Sequence, residues 1–185
     1  MKSLFSIITF VTLLCFACTP SKELTVGQAE DLIATHLEKY PLFEKGKFDT
    51  DKQRLEYAKN KELIEAIQNL IDEGFIEVNN EKVRKKWFSK DSVYIIEPTI
   101  TKKALPYVIS HNRNSSMVKT ILYKLNEKEI VIEKNNEKTA ICKVVLDKEK
   151  TPFYYFGKDP NPKSDFITQK FKFKYDENTG WKIVK

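Results

Sequence analysis

The sequence predicts an α+β fold: two N-terminal helices followed by a mainly antiparallel β-meander. Three observations carry that expectation. Apolar residues recur at helical spacing over two stretches of the first half. From Met117 onward, short apolar-rich runs are separated by polar turns such as N-E-K-E, N-N-E-K and D-E-N-T-G. Near the end, FITQKFKFKY alternates strictly, Phe171, Phe173 and Tyr175 against Lys170, Lys172 and Lys174. That is the pattern of a strand with one face in a core and one in water.

Each element follows from local chemistry. Thr25 and Gln28 form a T-x-x-Q capping box, in which each side chain satisfies a free backbone N–H of the other. Ala29, Leu32, Ile33, Leu37 and Tyr40 follow on one stripe, and Pro41 stops the helix. His36 falls on the same stripe, where packing is expected in preference to ligation. PLFEKGKF reads as a loop. Asp49, Thr50 and Asp51 offer N-caps to a second helix that reaches about Glu73. Its apolar face is Leu63, Ile64, Ile67, Leu70 and Ile71, and Gly74 suits the left-handed cap. FIEVN, VRKKWFS and SVYIIE read as short strands, and ITKKALPYVI as a helical turn interrupted by Pro106. The later strands are MVKTILYKL, EIVIEK, EKTAICKVVL, PFYYF, FITQKFKFKY and WKIVK.

The first residues read as an address. Lys2 precedes an uncharged apolar run from Leu4 to Leu14, too short to span a bilayer, which takes about 20 apolar residues. Ala17 then precedes Cys18, as at an export cleavage site. This segment resembles a bacterial lipoprotein signal. The resemblance implies cleavage before Cys18 and a diacylglyceryl group on its thiol. Cys15 and Phe16 stand where that family usually has Leu and a small residue. The expected organisation is therefore a signal peptide (1–17), a lipidated tether (18–24), a helical lobe (25–110) and an antiparallel β lobe (111–185). Residues 50 to 109, helix then LIDEGFIEV then VYIIEPTITKKALPYV, are also similar to the helix-plus-wing layout of winged-helix domains. That implies a shape and no DNA-reading residue.

Composition and motifs narrow the chemistry. The chain of 185 residues carries a formal charge of +6, but lysines far outnumber arginines and are interleaved with 26 acids. A solvated surface is expected, with no nucleic-acid partner, because phosphate and base forks favour Arg. Cys142 sits among apolar neighbours as a buried thiol, and a disulfide framework is not expected. The five glycines are too widely spaced for a phosphate-cradling loop or dinucleotide fingerprint. His36 and His111 belong to no zinc motif, and no G-x-S-x-G elbow exists. Ser116 and Lys119 make an S-x-x-K and Ser110 with Asn112 an S-x-N, as in penicillin-interacting enzymes, but K-T-G is missing. Neither a metal nor another cofactor is expected.

PFYYFGKDPNP, residues 152 to 162, holds four consecutive aromatics. In a strand, neighbours point to opposite faces, so Phe153, Tyr154, Tyr155 and Phe156 cannot all enter one core. They form the candidate interaction patch, with a sheet covered on both faces as the alternative. The functional expectation is a non-catalytic lipoprotein of the cell envelope, lipid-anchored through Cys18, that binds a protein or envelope component. In a Gram-negative cell the outer membrane is favoured. The alternatives are an envelope-directed hydrolase using carboxylates or an unrecognised Ser, and an immunity-type lipoprotein.

Overall fold

The computed structural model of the protein describes residues 23–85 and 92–184. The signal segment, Cys18, most of the tether and the WFS part of VRKKWFS lie outside the described residues. The fold is α+β and mostly strand. Its elements in chain order are α1 (Val26–Lys39), β1 (Phe43–Asp49), β2 (Gln53–Glu56), α2 (Tyr57–Asp72), β3 (Ile76–Lys85), β4 (Ser92–Ile100), β5 (Val108–His111), β6 (Ser115–Asn135), β7 (Thr139–Lys150), β8 (Phe166–Asp176) and β9 (Gly180–Val184). Lys102–Tyr107 forms a 3₁₀ turn before β5.

Two antiparallel sheets result. The larger has the order β1-β6-β7-β8-β9, with β5 also on β6, and curls into a half-barrel. The smaller has the order β2-β4-β3. Register shifts between Glu44 and Lys45, Leu125 and Ile130, and Ile132 and Lys134 mark irregularities that increase local twist and help the large sheet curl.

Two cores follow from the patterning. Ala29, Ile33 and Leu37 of α1 pack on Ile121, Cys142, Val144, Leu146, Phe171, Phe173 and Trp181 of the large sheet. Ile64, Ile67 and Leu70 of α2 pack with Leu55, Tyr94 and Ile96 of the small sheet, together with Phe48 and Val118 of the large one. α1 and β1, from the first third of the chain, sit with the large sheet.

Several local expectations are met. The Thr25–Gln28 capping box is formed in both directions. Gly74 (φ +73°) closes α2 in a Schellman motif: its N–H donates to the Ile71 carbonyl and that of Phe75 to Leu70, each at 2.8 Å.

Others are corrected. PLFEKGKF contains strand β1, which pairs along β6. Asp49, Thr50 and Asp51 do not cap α2. Asp49 ends β1, and the Thr50 and Asp51 N–H groups donate to the Asn114 carbonyl, tying this turn to the β5–β6 hairpin. A short strand, β2, intervenes before α2 starts at Tyr57. FIEVN and the first part of VRKKWFS are one strand, β3. MVKTILYKL and EIVIEK are likewise a single 21-residue strand that passes through N-E-K-E with an irregularity in place of a turn.

PFYYF is no strand. The Thr151 hydroxyl donates to the Lys119 carbonyl at 2.7 Å and accepts from the Phe153 N–H at 3.2 Å, folding the chain into a turn. Pro152 has no N–H to give a ladder.

Candidate functional site

The corner at residues 151–165 sits where the two cores meet. Phe153 is fully buried in the second core, edge-on to Phe48 with centroids 5.5 Å apart. Phe156 is half-buried and packs edge-on to Phe48 at 4.9 Å. Tyr154, also half-buried, turns toward the first core, under the Lys150 ammonium 4.5 Å from its ring. Tyr155 is the exposed member, at 45%. The four aromatics therefore do not share one surface, because a tight turn, unlike a strand, distributes side chains in more than two directions.

Glycine permits this corner to dock. Gly46 of β1 bridges to Gly157. A Cβ at Gly46 would lie 2.1 Å from the Phe156 carbonyl oxygen, and one at Gly157 would lie 2.4 Å from Thr120 Oγ1. Neither has a left-handed backbone; the demand is for close approach alone.

A polar cluster lies beneath. Lys148 of β7 pairs with Asp159 at 2.5 Å, and its ammonium also donates to the Asn161 carbonyl at 2.6 Å. The Asn161 N–H donates to Asp159 Oδ1 at 3.0 Å, and the Tyr154 hydroxyl to Oδ2 at 3.3 Å. Tyr123, opposite Lys148 in the β6–β7 register, donates to Glu44 Oε1 at 2.9 Å. Three donated hydrogen bonds, one of them from a cation, set the direction of the Asp159 pKa: the Lys148 ammonium first, then the Asn161 N–H and the Tyr154 hydroxyl, hold it below the usual carboxylate range against the cost of burial. The Tyr123 phenol is pushed up by burial, by its hydrogen bond to Glu44 and by the charges of Glu44 and Asp159.

That arrangement fastens the loop to β7. A general acid needs a carboxyl whose pKa is raised toward neutrality. Asp159 moves the other way and stays ionised as the counter-ion of Lys148.

A Ser–His contact also exists. His111 Nδ1 and Ser116 Oγ are 2.9 Å apart across the β5–β6 pair. Ser116 is 1% exposed, so its hydroxyl is covered against substrate. Lys119 of the S-x-x-K donates to the Pro106 carbonyl at 3.0 Å, and Ser116 lies on a strand, not at a helix start.

His36 packs between Tyr40 and Phe171, with centroids 5.1 and 5.9 Å away. These rings line an open groove of about 660 Å³ with Ile183 and Val184 of β9. Cys142 is fully buried, and burial pushes its thiol up to about 11. Among the described residues, no group of three or more His, Cys, Asp or Glu side chains is placed to hold a metal ion, and no helix is long and apolar enough to cross a membrane.

No family model, curated protein or solved structure matches the chain.

The Lys148–Asp159 cluster escapes sequence reading because the two residues lie on different segments and only the turn after β7 brings them together. The one available signal was Asp159 itself, an acid between Lys158 and Pro160 in a loop that a neighbouring strand can cover.

Proposed function

We propose that the protein is a membrane-anchored lipoprotein of the cell envelope that acts by binding and not by catalysis. The observation that carries this reading is the short path from Cys18 to the fold. Leu24, six residues on, is held by Asn135 through two hydrogen bonds: its N–H donates to Oδ1 at 3.3 Å, and its carbonyl accepts from Nδ2 at 3.0 Å. A diacylglyceryl thioether on Cys18 would hold the domain close to a bilayer, its two chains giving a stable anchor. In a cell with two membranes the outer one is the favoured site.

Binding is supported by the character of the surface recesses, open grooves lined by apolar or basic side chains. One is an apolar recess of about 290 Å³ between α1 and β6, with Leu37, Leu42, Leu122 and Leu125 in its lining. Hydrolysis would call on the carboxylates near this corner, Glu44, which accepts from Tyr123, and Asp159, which is the counter-ion of Lys148. The downward shift of Asp159 weighs against a proton donor there. The winged-helix likeness rests on α2 as helix and β3–β4 as wing, and supports a shape for this lobe, with no DNA contact drawn from it.

Cys18→Ala is the test. Fractionated cells should show the wild-type chain in the membrane pellet after a high-salt wash and the variant released from it. A Cys18→Ala variant that still carries labelled lipid would contradict the anchor.

A further inference from the structure

The outer face of the small sheet carries a cationic groove that the anchor reading leaves unused. Its origin is a repeated tripeptide. Lys52-Gln53-Arg54 enters β2, and Lys82-Val83-Arg84 lies in β3. The K-x-R spacing puts Lys and Arg on one side of an extended chain, because successive side chains alternate. β4 then lies between the two tripeptides: Ile95 pairs with Arg54 on one edge and with Lys82 on the other. Arg54 and Lys82 are thus two strand spacings apart, about 10 Å between backbones. Tyr94 and Ile96 of β4 are buried on the inner face with α2, so Ile95 and Glu97 look outward.

The result is a groove of about 560 Å³ lined by Lys52, Arg54, Lys82, Arg84, Ile95 and Glu97. All four cations are exposed. Among the described residues none of the four side chains has an ion-pair partner, although exposed lysines elsewhere pair readily, as Lys47 does with Asp49 and Lys170 with Glu133. Placing four cations on the two strands that flank β4 costs mutual repulsion, which an anionic occupant would relieve. Two of the chain's few arginines meet here, although sequence separates them by 30 positions.

We propose that this groove binds an extended, phosphate-bearing polyanion. The mixture of groups fits phosphate, which takes guanidinium forks and ammonium point charges together. The stagger of the cations along two strands fits charges repeated along a chain better than a single ion. A concave trough fits a chain better than a flat bilayer face. The groove also lies beyond the β1 end that pairs with Ser115, whereas Leu24 is held at Asn135, the other end of the 21-residue β6. Among the described residues, those lining the groove carry no aromatic ring on which bases could stack, which favours reading of backbone charge over nucleobases.

The test uses the full-length protein in a neutral detergent, with long-chain inorganic polyphosphate as the probe. It is independent of the anchor, since binding can succeed or fail whatever Cys18→Ala does in cells. Wild type should bind polyphosphate with an affinity that falls steeply with salt. Arg54→Gln/Arg84→Gln should weaken binding about tenfold or more and lower the logarithmic salt slope by about 1 to 2. Lys172→Gln/Lys174→Gln on β8, the same change of charge, should alter affinity less than about twofold. Thermal melts of both variants should match wild type, as exposed positions allow. Equal loss in the two double variants, or none in the first, would overturn the groove. Preference for a single-stranded oligonucleotide, for polyglutamate or for phosphatidylglycerol mixed micelles over polyphosphate at matched charge would overturn the proposed partner.

Discussion

Lys148 and Asp159 form a 2.5 Å ion pair whose side chains are 3% and 7% exposed. The pair fastens the loop after the aromatic corner to β7, helped by the Lys148 N–H, which donates to the Asp165 carbonyl at 2.8 Å. A covered charge that loses its partner is costly, whereas losing both together costs little. Lys148→Met should therefore lower the melting temperature by several degrees, and adding Asp159→Leu should restore most of the loss. Acid should act through the same pair. The Asp159 carboxyl lies below its unfolded value of about 3.9, so its contribution is complete above about pH 5 and fades as pH falls through the folded value. The stability gap between wild type and Asp159→Asn should shrink below about pH 4 in denaturant titrations, and a gap constant from pH 7 to pH 3 would dissociate the pair from acid sensitivity.

Gly46 and Gly157 make the second prediction. Ala at either position would drive a methyl into the opposing segment, with the Phe156 carbonyl or Thr120 in the way. Each substitution should cost about 1–3 kcal/mol or more. Gly27, in the first turn of α1, has open space around it. Gly27→Ala should be neutral or stabilising by up to about 0.5–1 kcal/mol. Urea midpoints of the three variants decide the order.

The aromatic corner separates core from surface within three residues. Phe153→Ala should cost about 3–5 kcal/mol, because it empties a site packed by Phe48, Phe75, Tyr107 and Phe156. Tyr155→Ser should stay within about 0.5 kcal/mol of wild type. If the surface around Tyr155 contacts a partner, that variant would lose the partner while keeping its melting curve.

What the sequence made legible was whatever local chemistry decides. The capping box at Thr25, the Schellman glycine at 74 and the alternation at Phe171 and Phe173 need only their own neighbours, and all stand in the structure. Elements decided by distant partners were hidden. β1 has Gly46 and Phe48 as its buried residues between charged ones, and becomes a strand because β6 is there to pair with it. β6 runs through Asn126-Glu127-Lys128-Glu129, which resembles a turn, because the curled sheet absorbs the irregularity against β7. The aromatics of PFYYF were misplaced because the decisive group is the Thr151 side chain, one residue upstream of the run. The two K-x-R tripeptides were in plain view, but nothing local says that one strand will lie between them.

The central claim is the anchor, and the most direct measurement is the mass of the N-terminal peptide of the protein recovered from its native membrane. The account predicts that this peptide begins at Cys18 and carries a diacylglyceryl group on sulfur. A peptide that retains Met1, or that begins elsewhere without lipid, would contradict it.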